Sequence, residues 1–112
     1  MPPDLSPIMD IKLAADRAIS FVQGVDRNRF LSDERTRWAV YSQIVLIGEA
    51  ANRVSPDFQR EHAELPWRQM IGMRHRLIHG YDEINWDRVW ETVINDLPRV
   101  SSLLAPLIPQ ED

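Results

Sequence analysis

A chain of 112 residues is long enough for one hydrophobic core and too short for two, so we expect a single domain over residues 1–112 with its core at about 8–104. Hydrophobic residues make up 44% and charged residues 27%, as in ordinary globular proteins, and no apolar run is long enough to predict a membrane span. The net charge of −4 argues against a surface that coats nucleic acid, but it is compatible with a local basic site.

Several further kinds of site and classes of protein are excluded by what the chain lacks. Without cysteine there can be no disulfide bond, thiolate zinc site or cysteine nucleophile. The four glycines lie far apart, which excludes a glycine-rich phosphate loop. The first ten residues do not combine a basic stretch with a following apolar one, as a secretory signal does, so we expect a cytoplasmic protein.

Apolar residues at helical spacing predict four helices, the first of which covers residues 8–22 and should end near Gly24. After a short link around Asp26 to Leu31, Ser32 or Asp33 can cap a second helix that runs to about Val54. The second helix is apolar over more than half of its circumference. It should therefore be central in a bundle or shared with a second subunit.

The third and fourth helices follow from proline, glycine and apolar spacing. Pro66 suits the first position of the third helix, and Gly80 suits the position just beyond its end. The fourth begins near Asn85, and Pro98 should bend it or cut it short. We therefore predict an all-α fold, an antiparallel bundle of four to five helices. Three tryptophans on its apolar stripes should pack in the core rather than stack on bases: Trp67, Trp86 and Trp90.

Arg74 interrupts the apolar stripe of the third helix. A buried guanidinium without a partner is costly, so Arg74 must meet a carboxylate, lie at a subunit interface or line a wet cleft. The candidate partner is Glu49, which lies in the apolar second helix. Two interpretations remain open: a buried ion pair that fixes the register of the bundle, or a functional arginine supported by Glu49.

His79 ends the third helix, where the negative end of the helix dipole favours a protonated imidazole. That position suits proton transfer, although a histidine that only caps the last carbonyl groups is the commoner case. His75 lies four residues earlier on the same face, but a metal site would need a third ligand and the HExxH pattern is absent, so we expect no metal. Between Trp67 and Tyr81 the charged residues are all basic: Arg68, Arg74, His75, Arg76 and His79.

The segment from Arg74 to Tyr81, RHRLIHGY, resembles the R-x4-H-x-Y signature of HepT-like proteins in the HEPN superfamily. The similarity extends to residues 47–51, 65–74 and 89–98, so it covers roughly residues 8–104 in one register. This resemblance implies an all-α homodimer in which Arg74 and His79 of two protomers meet at a cleft and cut RNA without metal or another cofactor. His79 would act as general base or acid, and Arg74 would stabilise the charge on the phosphorane.

The resemblance also implies a role in a type II toxin-antitoxin pair. The toxin of such a pair is neutralised by a minimal nucleotidyltransferase that adds AMP to the motif tyrosine, here Tyr81. His75 occupies a position that is often Asn in this family, where it could be a second proton carrier or a further polar contact. Two other functions stay open, a non-catalytic helical partner of the nucleotidyltransferase and a nucleotide-binding module.

Overall fold

Seven α-helices form most of the computed structural model, which describes residues 2–109 except for the side chain of Tyr81. Short 3₁₀ turns cover Tyr81–Glu83 and Ala105–Leu107, a π-helical segment covers Thr92–Asp96, and no strand occurs in the described range. The all-α prediction is confirmed. In chain order the α-helices are α1 (Leu5–Phe21), α2 (Arg27–Ser32), α3 (Glu34–Asn52), α4 (Pro56–Glu61), α5 (Trp67–His79), α6 (Trp86–Glu91) and α7 (Leu97–Leu104).

Short polar side chains begin four of these helices by accepting a hydrogen bond from a backbone N–H group of the first turn. Asp26 caps α2, Asp33 caps α3, Ser55 caps α4 and Asn85 caps α6, at donor–acceptor distances of 2.8 to 3.3 Å. Just beyond α1, Gly24 adopts a φ of 72°, a conformation that side chains other than glycine rarely tolerate. The predicted cap of the second long helix and the predicted end of the first are thus confirmed.

The helix α3 lies at the centre of the fold, between α1 and α5, and α7 packs against α1. Contacts pair Tyr41 with Leu77 and Gly48 with Arg74, so α3 and α5 run antiparallel. The core draws on all three long helices and on α7, and its largest fully buried side chains are Phe30, Ile8, Ile11, Ile47, Leu104, Val40, Val89, Val93 and Val100. Within residues 2–109, no helix has the length and apolar character needed to cross a membrane.

Three details of the predicted helices are wrong. The link expected before Asp33 contains α2, which Phe30 anchors in the core, and a further short helix, α4, precedes α5. Pro66 is the N-cap of α5 rather than its first residue. The expectation that Pro98 would bend the fourth predicted helix or cut it short is confirmed, since this helix is divided into α6, the π-helical segment and α7. Because Pro98 has no N–H group to donate to the carbonyl of Ile94 and its ring crowds that carbonyl, the backbone widens there instead of continuing as an α-helix.

The tryptophans pack as predicted. Trp67 is buried, and Trp86 and Trp90 are partly buried against Phe30, with ring centroids 6.4 and 5.2 Å from its ring. A fourth tryptophan, Trp38, is 41% exposed at the edge of this group, 5.3 Å from the Trp86 ring. These aromatic contacts join α2, α3 and α6.

Candidate active site

The site begins at a close approach of α3 and α5. At Gly48 an added Cβ atom would lie 2.2 Å from Cβ of Arg74 and 2.8 Å from the carbonyl oxygen of Met70. Only a residue without a side chain allows this approach. Gly48 thus places the backbone of α3 directly against the part of α5 that carries Arg74.

Arg74 pairs with Glu49, as the sequence suggested, but the pair lies at the surface. Its Nη2 donates to Oε1 of Glu49 over 3.4 Å, and the two side chains are 32% and 50% exposed. The alternative of a buried ion pair that fixes the register is therefore wrong, because a pair this exposed contributes only about 0–1 kcal/mol. The Nε atom of Arg74 is buried and has no hydrogen-bond partner among the described residues. The guanidinium is thus held by Glu49 through Nη2, while about a third of the Arg74 side chain stays exposed.

The two histidines of α5, His75 and His79, lie side by side at the surface. Both side chains are exposed, and their ring centroids are 4.3 Å apart with the planes inclined by 46°. In the described residues no group of three or more His, Asp or Glu side chains is close enough together to hold a metal ion. Exposed imidazoles in contact can exchange protons with a ligand and with solvent.

The last turn of α5 is held by groups other than His79. The hydroxyl of Tyr41 donates to the carbonyl of Leu77 over 3.1 Å, and the N–H of Gly80 donates to the carbonyl of Arg76 over 2.9 Å. Among the described contacts, the His79 ring makes no hydrogen bond to these carbonyl groups, so it does not act as their cap. Tyr41 was not expected at the site; its phenolic hydroxyl, in the apolar second predicted helix, was the signal for this polar contact.

Arg74 and His79 are not brought together within one chain. Five helical residues rotate their directions apart by about 140°, since each residue turns an α-helix by about 100°. The structure therefore forms two separate pairs, Arg74 with Glu49 and His75 with His79. Tyr81 opens the 3₁₀ turn that follows Gly80, but its side chain lies outside the described part of the chain, so its predicted role as AMP acceptor stays a prediction.

Comparison with known proteins shows the family of the chain. The model of the family described as Ribonuclease HepT-like matches residues 11–107. The chain belongs to the HepT-like ribonuclease family. It is 38% identical over 98 residues to a protein of Thermococcus cleftensis named "Probable ribonuclease HepT", a match that covers 88% of this chain and 89% of that relative. A Methanocaldococcus jannaschii protein with a provisional RNase name is 33% identical over 93 residues, covering 83% and 85% of the two chains. No solved structure matches the chain at a significant level.

Membership in this family confirms the predicted resemblance and the prediction of a ribonuclease. In this HepT-like chain, the family match includes the whole of α3 and α5. It therefore includes both side-chain pairs, Arg74 with Glu49 and His75 with His79. The chemistry available there is proton transfer at the two imidazoles and charge stabilisation at the guanidinium.

Proposed function

We propose that this protein is a metal-independent endoribonuclease in which His79 and Arg74 act on one phosphodiester of RNA. The observation that carries the proposal is that α5 of a HepT-like chain presents an exposed pair of imidazoles and an arginine whose side chain is 32% exposed beside its carboxylate partner. An arginine needed only for the fold would not require that exposure.

The proposed reaction uses the ribose 2′-hydroxyl as the nucleophile. A neutral imidazole of His79 takes the proton of this hydroxyl, and the oxygen forms a bond to the adjacent phosphorus. The bond from phosphorus to the 5′ oxygen then breaks, the imidazolium returns a proton to that oxygen, and the products are a 2′,3′-cyclic phosphate and a 5′-hydroxyl. The guanidinium of Arg74 stabilises the extra negative charge on the phosphorane. Glu49 orients Arg74, and His75 supports the His79 ring through their contact.

We further propose that two protomers build the cleft. Because Arg74 and His79 point apart on one helix, a phosphate can meet both of them most simply where two copies of α5 face each other. Leu13 and Leu46 are 50% and 46% exposed, and both line a shallow cavity that also contains Glu49. Burial of these apolar side chains by a second copy of the chain would favour a homodimer whose interface lies next to the pair of Glu49 and Arg74.

In the cell, we propose, the enzyme is a cytoplasmic toxin of a type II toxin-antitoxin pair. A minimal nucleotidyltransferase partner would neutralise it by adding AMP to the hydroxyl of Tyr81. Tyr81 is only two residues beyond His79 in the chain. A bulky anionic group attached there would repel the phosphates of RNA and obstruct the site.

The test is cleavage of a panel of labelled RNAs in EDTA by purified wild type, Arg74→Ala and His79→Ala, after mass spectrometry has confirmed that Tyr81 is unmodified. We expect the wild type to cut and both variants to lose at least 100-fold in rate, because a general base or a charge-stabilising group contributes about 10²-fold or more. Arg29→Ala is the matched control, since Arg29 is an exposed arginine in α2. A panel with a 2′-deoxy residue at each cut site should resist cleavage.

Two outcomes would overturn this function. If unmodified wild type cuts none of the RNAs but binds the nucleotidyltransferase, the protein is a non-catalytic partner. If the His79→Ala variant keeps full cleavage activity, the proton transfer occurs elsewhere. Retained folding of each variant, measured by circular dichroism, separates these results from simple unfolding.

A further inference from the structure

A groove runs along the outward side of α5, between α4 and the first turns of α7. Its volume is about 1090 Å³. Leu65 and Trp67 form part of an apolar floor. The titratable residues that line it are Arg60, Glu64, Arg68, His75, Arg76 and Arg99.

The groove concentrates positive charge in a protein whose net charge is −4. Four guanidinium groups line it against the single carboxylate of Glu64. Arg60 pairs with Asp57, but among residues 2–109 no carboxylate lies within ion-pair distance of Arg68, Arg76 or Arg99. Arginines gathered without acidic partners repel one another, and a ligand that carries several negative charges would relieve that repulsion.

Gly72 gives a second, independent sign of a ligand. It lies in the middle of α5, where glycine costs about 0.5–1 kcal/mol relative to alanine. Its packing does not require glycine, because an added Cβ atom would meet only Nη1 of Arg76, at an ordinary 3.5 Å. Gly72 lines the groove, so the missing side chain keeps the middle of the groove open for the close approach of a ligand.

The groove leads to the candidate active site. Arg68, Gly72, His75 and His79 are spaced by four, three and four residues, so they form one stripe along α5. His75 lines the groove, and its ring contacts the ring of His79. From Arg68 to His79 the stripe is about 16 Å long at about 1.5 Å per residue.

We propose that this groove binds the sugar–phosphate backbone of single-stranded RNA and delivers one phosphate to His79, with Arg68, Arg76 and Arg99 as its phosphate contacts. The inference rests on the proposed ribonuclease function and adds to it the path of the substrate. A phosphodiester chain has the required chemistry, because it repeats a negative charge along its length while its bases can lie on the apolar floor. His75 lies between the arginines that bind phosphate and His79, which transfers the proton.

The test measures binding of a fluorescent single-stranded RNA by anisotropy over a range of salt concentrations, in the full-length His79→Ala protein so that the RNA stays intact. Each of Arg68→Gln, Arg76→Gln and Arg99→Gln should reduce the slope of log K against log salt by about 0.7 and weaken binding about five-fold at 0.1 M salt, as expected for one lost phosphate contact. Arg29→Gln, outside the groove, should change neither. Gly72→Gln should weaken binding while leaving the slope unchanged and without lowering the melting temperature, since it fills the groove without removing charge.

Unchanged affinity and slope in all three arginine variants would overturn the groove as the RNA path, and the ribonuclease proposal would survive if the wild type still cuts RNA. Binding that is lost equally in Arg29→Gln would also overturn it, because the contacts would then be diffuse. If the parent protein binds no RNA at any salt concentration, the groove is not an RNA site at all. Failure of the proposed function is recognised separately, by the absence of cleavage in EDTA by wild type.

Discussion

The substitution Gly48→Ala should destabilise the fold and disturb the position of Arg74 together. The new Cβ atom would lie 2.2 Å from Cβ of Arg74, whereas carbon atoms in contact are about 3.5–4.0 Å apart, so α3 and α5 must separate locally by about 1.3–1.8 Å. Because the second clash is with a backbone carbonyl, rotation of a side chain cannot relieve it. At its upper range, overpacking of this kind lowers the free energy of unfolding by about 3 kcal/mol. The better helix propensity of alanine raises it by about 1 kcal/mol.

The net loss of about 2 kcal/mol corresponds to a melting temperature about 8 °C lower, because a chain of 112 residues has an unfolding entropy of about 0.24 kcal/mol per kelvin. Thermal unfolding followed by circular dichroism measures this melting temperature. RNA cleavage at a temperature where the variant is fully folded should also fall, since Arg74 moves with α5. A melting temperature equal to or above that of the wild type would refute the argument from close approach.

Gly72→Ala is the matched comparison for the same assay. It makes the same chemical change in the other packed helix, but its Cβ atom meets only the end of the flexible Arg76 side chain, at 3.5 Å. We expect a gain of about 0.5–1 kcal/mol and a melting temperature about 2–4 °C higher. If both glycine variants were destabilised to the same extent, loss of glycine itself rather than helix approach would explain Gly48→Ala.

Three further predictions concern single contacts. Tyr41→Phe removes the hydrogen bond to the carbonyl of Leu77 and should lower the free energy of unfolding by about 0.5–1.5 kcal/mol in urea titrations. Phe30→Ala empties a fully buried aromatic position and should cost about 3–5 kcal/mol in the same titration; a loss below 1 kcal/mol would show that α2 does not anchor the core. Hydrogen bonds from the side chain and backbone of Thr36 hold the pKa of Asp33 below its usual 3.8, so its stabilising effect is present above pH 3.8 and is lost as the pH falls through the lower folded-state pKa. The difference in melting temperature between wild type and Asp33→Asn should therefore shrink below pH 3.8, and a difference that grows there would contradict this sign.

The long helices could be predicted because their apolar residues repeat over several turns. The short helices α2 and α4 could not be predicted, since one and a half turns carry too little periodicity, although Asp26 before α2 and Ser55 before α4 were recognisable caps. The division of the last predicted helix followed from Pro98, but its π-helical form depends on how the flanking turns pack in the core.

The residues of the candidate site could be named from the sequence, whereas their geometry could not be predicted. The partnership of Arg74 with Glu49 followed from chemistry, but its exposure depends on how Gly48 lets α5 sit against α3. The basic groove could not be predicted from the sequence either, because Arg60 and Arg99 lie in other helices and come near Arg68 only in the tertiary fold.

The measurement that tests the account most directly is metal-free RNA cleavage by a mixture of Arg74→Ala and His79→Ala chains, refolded together so that protomers exchange. A mixed dimer would hold one intact Arg74 and one intact His79 on opposite protomers. If two protomers build the cleft, the mixture should recover cleavage that neither variant has alone. An inactive mixture, with mixed dimers verified by mass spectrometry and wild type active under the same conditions, would contradict the shared site.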